Sequence, residues 1–225
     1  MAFGLHWEWR GFGSVSDRFT DLFDALEPAY GPHDVEDLYV YLPHLSVNAK
    51  IRSGVDRGLK FKRIRNTDGD LEQWSENPDE VFPFPLSRAG WETLADMLAG
   101  VDVVLAPYPS IPPDSETVLD HLLDSGCTAV DVHKRREGRL WQSPSRHVIV
   151  ELAHITRPEQ IVSVGLESWD SDSDGEGFSD HRAKGDLRAV IEHFGLHDEP
   201  LRAMNYMDAV SIWASAGRLQ SGAPL

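Results

Sequence analysis

Alternating apolar and polar positions run through most of the chain and predict a protein rich in antiparallel strands. The segment 5–12 places Leu5, Trp7 and Trp9 on one side of an extended backbone and polar side chains on the other. Seven further strands are predicted over 38–42, 47–52, 59–65, 101–105, 127–134, 146–153 and 160–167. A turn at Glu137-Gly138 is expected to separate two of them.

Helical spacing is confined to shorter stretches between these strands. Phe19, Leu22 and Phe23 begin an i, i+3, i+4 pattern after Ser14 or Ser16, either of which can cap a helix that Pro28 stops. Further helices are predicted from Ser87 to near Gly100, from Asp114 or Ser115 to near Gly126, and over 181–194 and 200–216. The pattern therefore predicts one α+β domain over 1–225, with a helical insertion at 66–125.

The charge balance excludes several classes of partner. Lys and Arg number 21 against 37 Asp and Glu, which gives a net charge of −16. So acidic a chain repels phosphate backbones and anionic membrane surfaces, so we expect neither nucleic acid nor membrane as a partner. The N-terminus has no signal-peptide pattern and Cys127 is the only cysteine, which favours a cytoplasmic protein.

The positive charge is nevertheless concentrated in two short stretches. Seven basic residues lie between 50 and 65, and four more lie between 134 and 139. Lys50 and Arg52 alternate with one apolar row, and Lys60 and Lys62 alternate with another, so each strand has one cationic face. Like charges about 5 Å apart on neighbouring strands repel by roughly 1 kcal/mol even in water. Such faces require an anion or nearby carboxylates.

Carboxylates on the polar faces of other strands can supply part of that charge. Glu8, Glu151 and Glu167 each lie opposite an apolar row of their own strand. If one sheet curls into a barrel-like tunnel of about eight strands, the basic and acidic rows converge in a polar, water-filled interior. Carboxylate oxygens suit Mg²⁺ or Mn²⁺, and the basic rows suit phosphates. This pattern predicts a phosphate site with a divalent metal held by Glu8, Glu151 and Glu167.

These motifs resemble the CYTH superfamily, the triphosphate tunnel metalloenzymes, over most of the chain. The opening strand of that family reads E-x-E-x-K, and the corresponding strand here reads His6-Trp7-Glu8-Trp9-Arg10. Lys50-Ile51-Arg52 is similar to the family's next basic pair, and Leu59-Lys60-Phe61-Lys62 is similar to the strand with an inward lysine. With His6 in place of the first carboxylate, the chain resembles a divergent member.

The second half of the chain continues the resemblance. Lys134-Arg135-Arg136 matches a later basic strand, although His133 and Arg135 would fit if the register were shifted by one residue. Glu151 matches an inward acid, and Glu167 matches the final acidic strand, with Gly165 where another carboxylate is expected.

The resemblance implies a metal-dependent triphosphatase, a phosphohydrolase in which water attacks a terminal phosphate. Its substrate would be a triphosphate-containing small molecule or inorganic polyphosphate. Glu8 and Glu167 would be the catalytic, metal-side residues, with Mg²⁺ or Mn²⁺ as cofactor. The residues implied in phosphate binding are Arg10, Lys50, Arg52, Lys60, Lys62, Lys134 and Arg136.

Two alternatives stay open at the level of the sequence. The basic strands could form a non-catalytic module that binds a polyanion or an acidic protein, or they could face bulk solvent on an open sheet. The segment 170–175 resembles half a calcium loop, but its twelfth position is His181, so we interpret it as a solvated acidic loop. His193 and His197 are interpreted as residues at a helix end, not as a zinc pair.

Overall fold

A computed structural model describes residues 4–42, 47–53, 57–76, 81–98, 105–142, 147–169 and 180–215. The strands in these ranges are β1 (Gly4–Gly13), β2 (Glu27–Tyr41), β3 (Val47–Ser53), β4 (Gly58–Asp68), β5 (Leu71–Glu76), β6 (Thr128–Gln142), β7 (His147–Arg157), β8 (Ile161–Trp169) and β9 (Leu201–Ala203). The helices are α1 (Asp17–Asp24), α2 (Arg88–Leu98), α3 (Ser115–Asp124), α4 (Asp180–Phe194) and α5 (Tyr206–Ala214).

The first eight strands close into an antiparallel barrel. Their order is β5-β4-β3-β2-β6-β7-β8-β1, and β1 pairs with β5 to complete the circle. The short strand β9 pairs with β1 beyond the barrel. The α+β class and the barrel of eight described strands confirm the sequence prediction. An open sheet is excluded, because both edges of the eight-stranded sheet are paired with each other.

Alternation along each strand divides the barrel into an apolar exterior and a charged interior. On β1, Trp7 and Trp9 belong to an apolar cluster with α1, α4, β7 and β8, whereas Glu8 and Arg10 point the other way. A second cluster packs α2 and α3 against β2, β3 and β4. Helices α1 to α4 thus cover the apolar outer faces, and the inner faces carry polar side chains except at one end, where Val132 and Ile155 pack with α5 in a third apolar cluster.

Helix α5 occupies one end of the barrel. Asn205 caps it by accepting a hydrogen bond from the backbone N–H of Asp208, and Tyr206 and Trp213 pack edge-on against Phe12. Phe12 shares the inward row of Arg10, and Tyr39 on β2 stacks on Tyr206 at 5.3 Å between ring centroids. The helix therefore brings aromatic side chains to the inner surface of the sheet.

Four predicted boundaries are wrong. Strand β2 begins at Glu27 rather than at 38, and β6 runs straight through Glu137-Gly138, because Gly138 pairs with both Tyr30 and Glu151. Part of the stretch 66–125 belongs to the barrel, since β5 lies there beside α2 and α3. The helix predicted from 200 starts at Tyr206, after β9. Most of the predicted strand 101–105 lies outside the described residues.

Among the described residues, no helix combines the length and the apolar composition that a membrane crossing requires.

Packing of α4 on the barrel predicts a sharp contrast between two leucines. Leu187 on α4 is fully buried against the barrel, whereas Leu123 on α3 is 43% exposed. We expect Leu187→Ala to lower the free energy of unfolding by about 2–5 kcal/mol, and Leu123→Ala to change it by about 0.5 kcal/mol. Urea unfolding followed by circular dichroism measures both. Equal losses for the two variants would contradict this packing.

Candidate functional site

A polar cavity of about 330 Å³ lies inside the barrel, and we call it the barrel cavity. All eight barrel strands contribute to its lining, together with Tyr206 from α5. The residues predicted from the sequence all line it: Glu8, Arg10, Lys50, Arg52, Lys60, Lys62, Lys134, Arg136, Glu151 and Glu167. The structure thus brings together every predicted site residue, although their roles towards a ligand stay predictions.

The register of β6 settles which of its basic residues face inward. Lys134 and Arg136 line the barrel cavity, whereas Arg135 is exposed on the outer face. His133 also faces outward and lies 3.0 Å from Asp131. The shifted alternative, with His133 and Arg135 inside, is therefore wrong.

Asp37, which the sequence analysis missed, is the centre of the basic side of the cavity. It is fully buried on β2, directly opposite Arg52 on β3. Arg52 donates two hydrogen bonds to it, from Nε to Oδ1 (2.7 Å) and from Nη2 to Oδ2 (3.0 Å). The ammonium groups of Lys50 and Lys134 lie 3.5 and 3.6 Å from Oδ2.

These contacts keep Asp37 ionised. Burial by itself would raise the pKa of Asp37, but Lys50, the hydrogen bonds from Arg52, and Lys134 hold it well below its usual range. The sequence does indicate that Asp37 faces inward. Val35, Asp37 and Tyr39 occupy alternate positions of an extended segment, on the side opposite to Leu38 and Val40. Asp37 was overlooked because the strand was predicted to begin at residue 38.

Arg10 is the centre of the acidic side of the cavity. Its Nε donates to Glu8 Oε1 (3.0 Å), and its Nη1 donates to Glu151 Oε1 (2.9 Å). Nη1 also donates to Ser163 Oγ at 3.1 Å, and Nη2 lies 3.8 Å from Glu167 Oε1. Burial opposes the charged form of Arg10, but Glu8 and Glu151 outweigh it and raise the pKa of Arg10 well above its usual value.

The carboxylates around Arg10 have further cationic partners. Lys62 donates to Glu8 Oε2, and His6 Nε2 lies 3.6 Å from the same oxygen. Glu151 Oε2 accepts from Arg136 Nη1 at 3.0 Å. Burial opposes ionisation of both acids, yet Lys62 and Arg10 hold the pKa of Glu8 well below its usual range, and Arg10 and Arg136 do the same for Glu151.

Tyrosines complete the lining and were not predicted. Tyr206 Oη accepts a hydrogen bond from Lys134 Nζ (3.1 Å), and its ring lies 4.3 Å from that ammonium group. The same ring lies 4.9 Å from the Arg10 guanidinium carbon. Such contacts between cations and aromatic faces stabilise buried positive charge. No local sequence pattern could identify Tyr206, because α5 reaches the site only through tertiary packing.

The two sides of the barrel cavity differ in net charge. The acidic wall, formed by Glu8, Glu151 and Glu167 with Arg10, Lys62 and Arg136, has three negative and three positive groups and a balance of 3 − 3 = 0. The basic wall, formed by Lys50, Arg52, Lys60 and Lys134 with Asp37, has a balance of 4 − 1 = +3. Among the described residues, basic side chains thus outnumber acidic ones on one wall only.

The carboxylates predicted as metal ligands surround an arginine in the structure. Within the ranges that the structure describes, no three His, Cys, Asp or Glu side chains form a group that could hold a metal ion. Glu8, Glu151 and Glu167 are gathered around a guanidinium group instead. Mg²⁺ or Mn²⁺ at these residues therefore stays a prediction from the sequence. The calcium-like segment 170–175 lies outside the described residues.

Two solved structures are distantly similar to this chain. No family model matches the chain, and no curated protein matches it. A conserved hypothetical protein from Pyrococcus furiosus is 12% identical with a TM-score of 0.45, covering 89% of this chain and 98% of its own. A putative adenylate cyclase from Bacillus halodurans is 13% identical with a TM-score of 0.41, covering 85% and 91% respectively.

The depressed pKa of Asp37 predicts a specific pH dependence of stability. An unfolded aspartate titrates at about pH 3.9, so the contribution of Asp37 is fully present above that pH and is lost as the pH falls towards its folded pKa. We expect Asp37→Asn to lower the free energy of unfolding by about 1.5–3 kcal/mol at neutral pH. The difference from the unsubstituted protein should shrink below about pH 4.

Urea unfolding at several pH values measures this convergence. Asp96→Asn is the matched control, because Asp96 is exposed on α2. A loss for Asp37→Asn that does not change with pH would show that Asp37 stabilises the fold by packing and not by its charge.

Proposed function

We propose that the barrel cavity binds a compact polyanion, either a triphosphate-containing small molecule or inorganic polyphosphate. The observation that carries this proposal is the basic wall, where four cationic side chains from three strands converge inside a closed barrel, in a chain whose net charge is −16. Cations that lie close together in a partly desolvated interior repel one another, and a bound anion relieves that repulsion. A phosphate chain supplies several negative charges in a small volume.

The layout of the basic wall favours several phosphate groups over one. Lys50 and Lys60 lie directly opposite each other on β3 and β4. Lys134 reaches the same wall from β6, on the far side of β2. Donors spread over three strands can contact successive phosphates of one chain. A cavity of about 330 Å³ also falls within the usual size of small-molecule sites, about 300–1,000 Å³.

Two other functions that the sequence left open receive less support. An acidic partner protein would need an accessible basic surface, but Lys134 and Arg52 are almost completely buried inside the barrel. The metal-dependent phosphohydrolase requires Glu8 and Glu167 to hold a cation, whereas both contact Arg10. Polyanion binding without catalysis agrees best with these contacts.

Inorganic triphosphate is the simplest probe of the proposal. Isothermal titration calorimetry should detect saturable binding that weakens with added salt. Lys60→Ala should weaken it about ten- to a hundredfold, because a charged hydrogen bond contributes about 1.5–3 kcal/mol. Lys184→Ala is the matched control, since Lys184 lies on α4 outside the barrel and binds Asp68. Equal affinities for these two variants, or no binding to the unsubstituted protein, would refute the proposal.

Phosphate release distinguishes binding from hydrolysis. With triphosphate and either Mg²⁺ or Mn²⁺, we expect no release above the background of the buffer, because the acidic wall contacts Arg10. A colorimetric phosphate assay measures the release. Metal-dependent release that Glu8→Ala abolishes would instead support the hydrolase predicted from the sequence.

A further inference from the structure

Arg10 reaches the acidic wall by crossing a glycine. Gly165 on β8 lies directly opposite Arg10 on β1. A Cβ atom at residue 165 would lie 2.6 Å from Arg10 Nη2, 2.7 Å from Cζ and 2.8 Å from Nη1. The guanidinium group therefore occupies the space that any side chain at residue 165 would take. This is the position where the resemblance to the CYTH superfamily leads one to expect a carboxylate.

A second glycine makes the same kind of room on the other side of Glu151. Gly138 on β6 and Gly165 on β8 are the two cross-strand neighbours of Glu151 on β7. A Cβ atom at residue 138 would lie 2.4–2.8 Å from three ring carbons of Tyr30. Across this gap Tyr30 Oη donates a hydrogen bond to Glu151 Oε2 at 2.7 Å.

Both oxygens of Glu151 are consequently occupied by donors of the protein. Oε1 accepts from Arg10, and Oε2 accepts from Tyr30 and Arg136. Glu151 is 3% exposed, so little water competes for these oxygens. Three donors use most of the roughly four acceptor positions of a carboxylate, so a metal ion at Glu151 would have to bind beside the positive charge of Arg10.

The neighbouring acids are held in a comparable way. Glu8 gives one oxygen to Arg10 and the other to Lys62, and Glu167 lies 3.8 Å from Arg10. Glu72, which pairs with Glu8 across β1 and β5, accepts from Asn205 Nδ2 (2.5 Å) and from Trp74 Nε1 (3.2 Å). Arg10 thus lies among the acids that a divalent cation would need.

From these contacts we infer that Arg10 is a built-in counter-cation, which excludes divalent metal from the acidic wall and makes the barrel cavity a site for metal-free polyanions. The exclusion of metal stands on the geometry of the acidic wall alone. The metal-free form of the ligand rests on the proposed function.

The energetics favour the guanidinium group over an incoming ion. Mg²⁺ requires oxygen ligands at about 2.0–2.1 Å in octahedral geometry. Bringing Glu8 and Glu151 to such an ion would strip Arg10 of its hydrogen bonds while it stays buried. An unpaired buried charge costs several kcal/mol. The planar fork of Arg10 already satisfies two carboxylates at once, which a lysine ammonium group could not match.

Titration with Mn²⁺ alone tests the exclusion, with no polyanion in the experiment. The acidic exterior will take up Mn²⁺ weakly, so we compare variants that differ only at the acidic wall. We expect the unsubstituted protein and Glu151→Gln to bind Mn²⁺ equally. Arg10→Ala should gain one site at least about tenfold tighter than this background. The double variant Arg10→Ala/Glu151→Gln should lose that site again.

Three further variants distinguish the loss of the Arg10 charge from a general folding defect. Gly165→Ala retains Arg10 but pushes its guanidinium group away, so it should also gain Mn²⁺ binding. Arg10→Lys keeps a positive charge and should gain less than Arg10→Ala. Arg188→Ala is the matched control, because Arg188 lies on α4 and contacts Asp68 outside the barrel. Circular dichroism confirms that each variant is folded.

Two results would overturn the inference. One is a Mn²⁺ site in the unsubstituted protein that Glu151→Gln abolishes. The other is the absence of any gain in folded Arg10→Ala and folded Gly165→Ala. Triphosphate titrations in the presence of a chelator then test the metal-free ligand, and we expect binding to persist. If triphosphate fails to bind under every condition, the proposed function fails while the Mn²⁺ results still stand.

Discussion

The pairing of charges inside a closed barrel is the constraint on which the rest of this structure depends. A barrel of eight strands places every second side chain in a small, largely desolvated space, where an unpaired ion costs several kcal/mol. The protein meets this constraint with hydrogen-bonded ion pairs. Arg52 pairs with Asp37, and Arg10 pairs with both Glu8 and Glu151. The exterior follows the opposite rule, since apolar rows there are covered by helices. The outer faces of the strands therefore contribute to a hydrophobic core, and their inner faces line a charged cavity except at the end that α5 covers.

Strand alternation made much of this arrangement predictable. A period of two identifies Lys50, Arg52 and Glu151 as residues opposite apolar rows, and closure of the sheet makes such rows converge. The starts of α1 and α3 were also predictable to within two candidate caps each, because a side-chain oxygen before an apolar helical pattern is a local signal, and the structure has Ser16 and Asp114 as the caps. Features that depend on residues close in the sequence, such as strand faces and helix caps, could thus be predicted.

Features that depend on tertiary contacts could not be predicted from the sequence. Tyr206 reaches the cavity because α5 packs against one end of the barrel, and Tyr30 reaches Glu151 only across Gly138. The sequence alone also does not decide which group neutralises the carboxylates of Glu8, Glu151 and Glu167. From the sequence, either a divalent metal or an arginine could neutralise these carboxylates. Only the position of the Arg10 guanidinium group distinguishes the two possibilities. The absent side chain at Gly165 is part of that answer.

The space left by Gly165 also links two positions that are far apart in the chain. A basic side chain at residue 10 can lie across β8 only while residue 165 has no Cβ, so neither position can change freely without the other. Among proteins that share this barrel, the pair of residues at these two positions should vary together. Glycine with arginine would mark barrels neutralised from within, and a carboxylate in place of the glycine would mark barrels that must recruit a cation from solution.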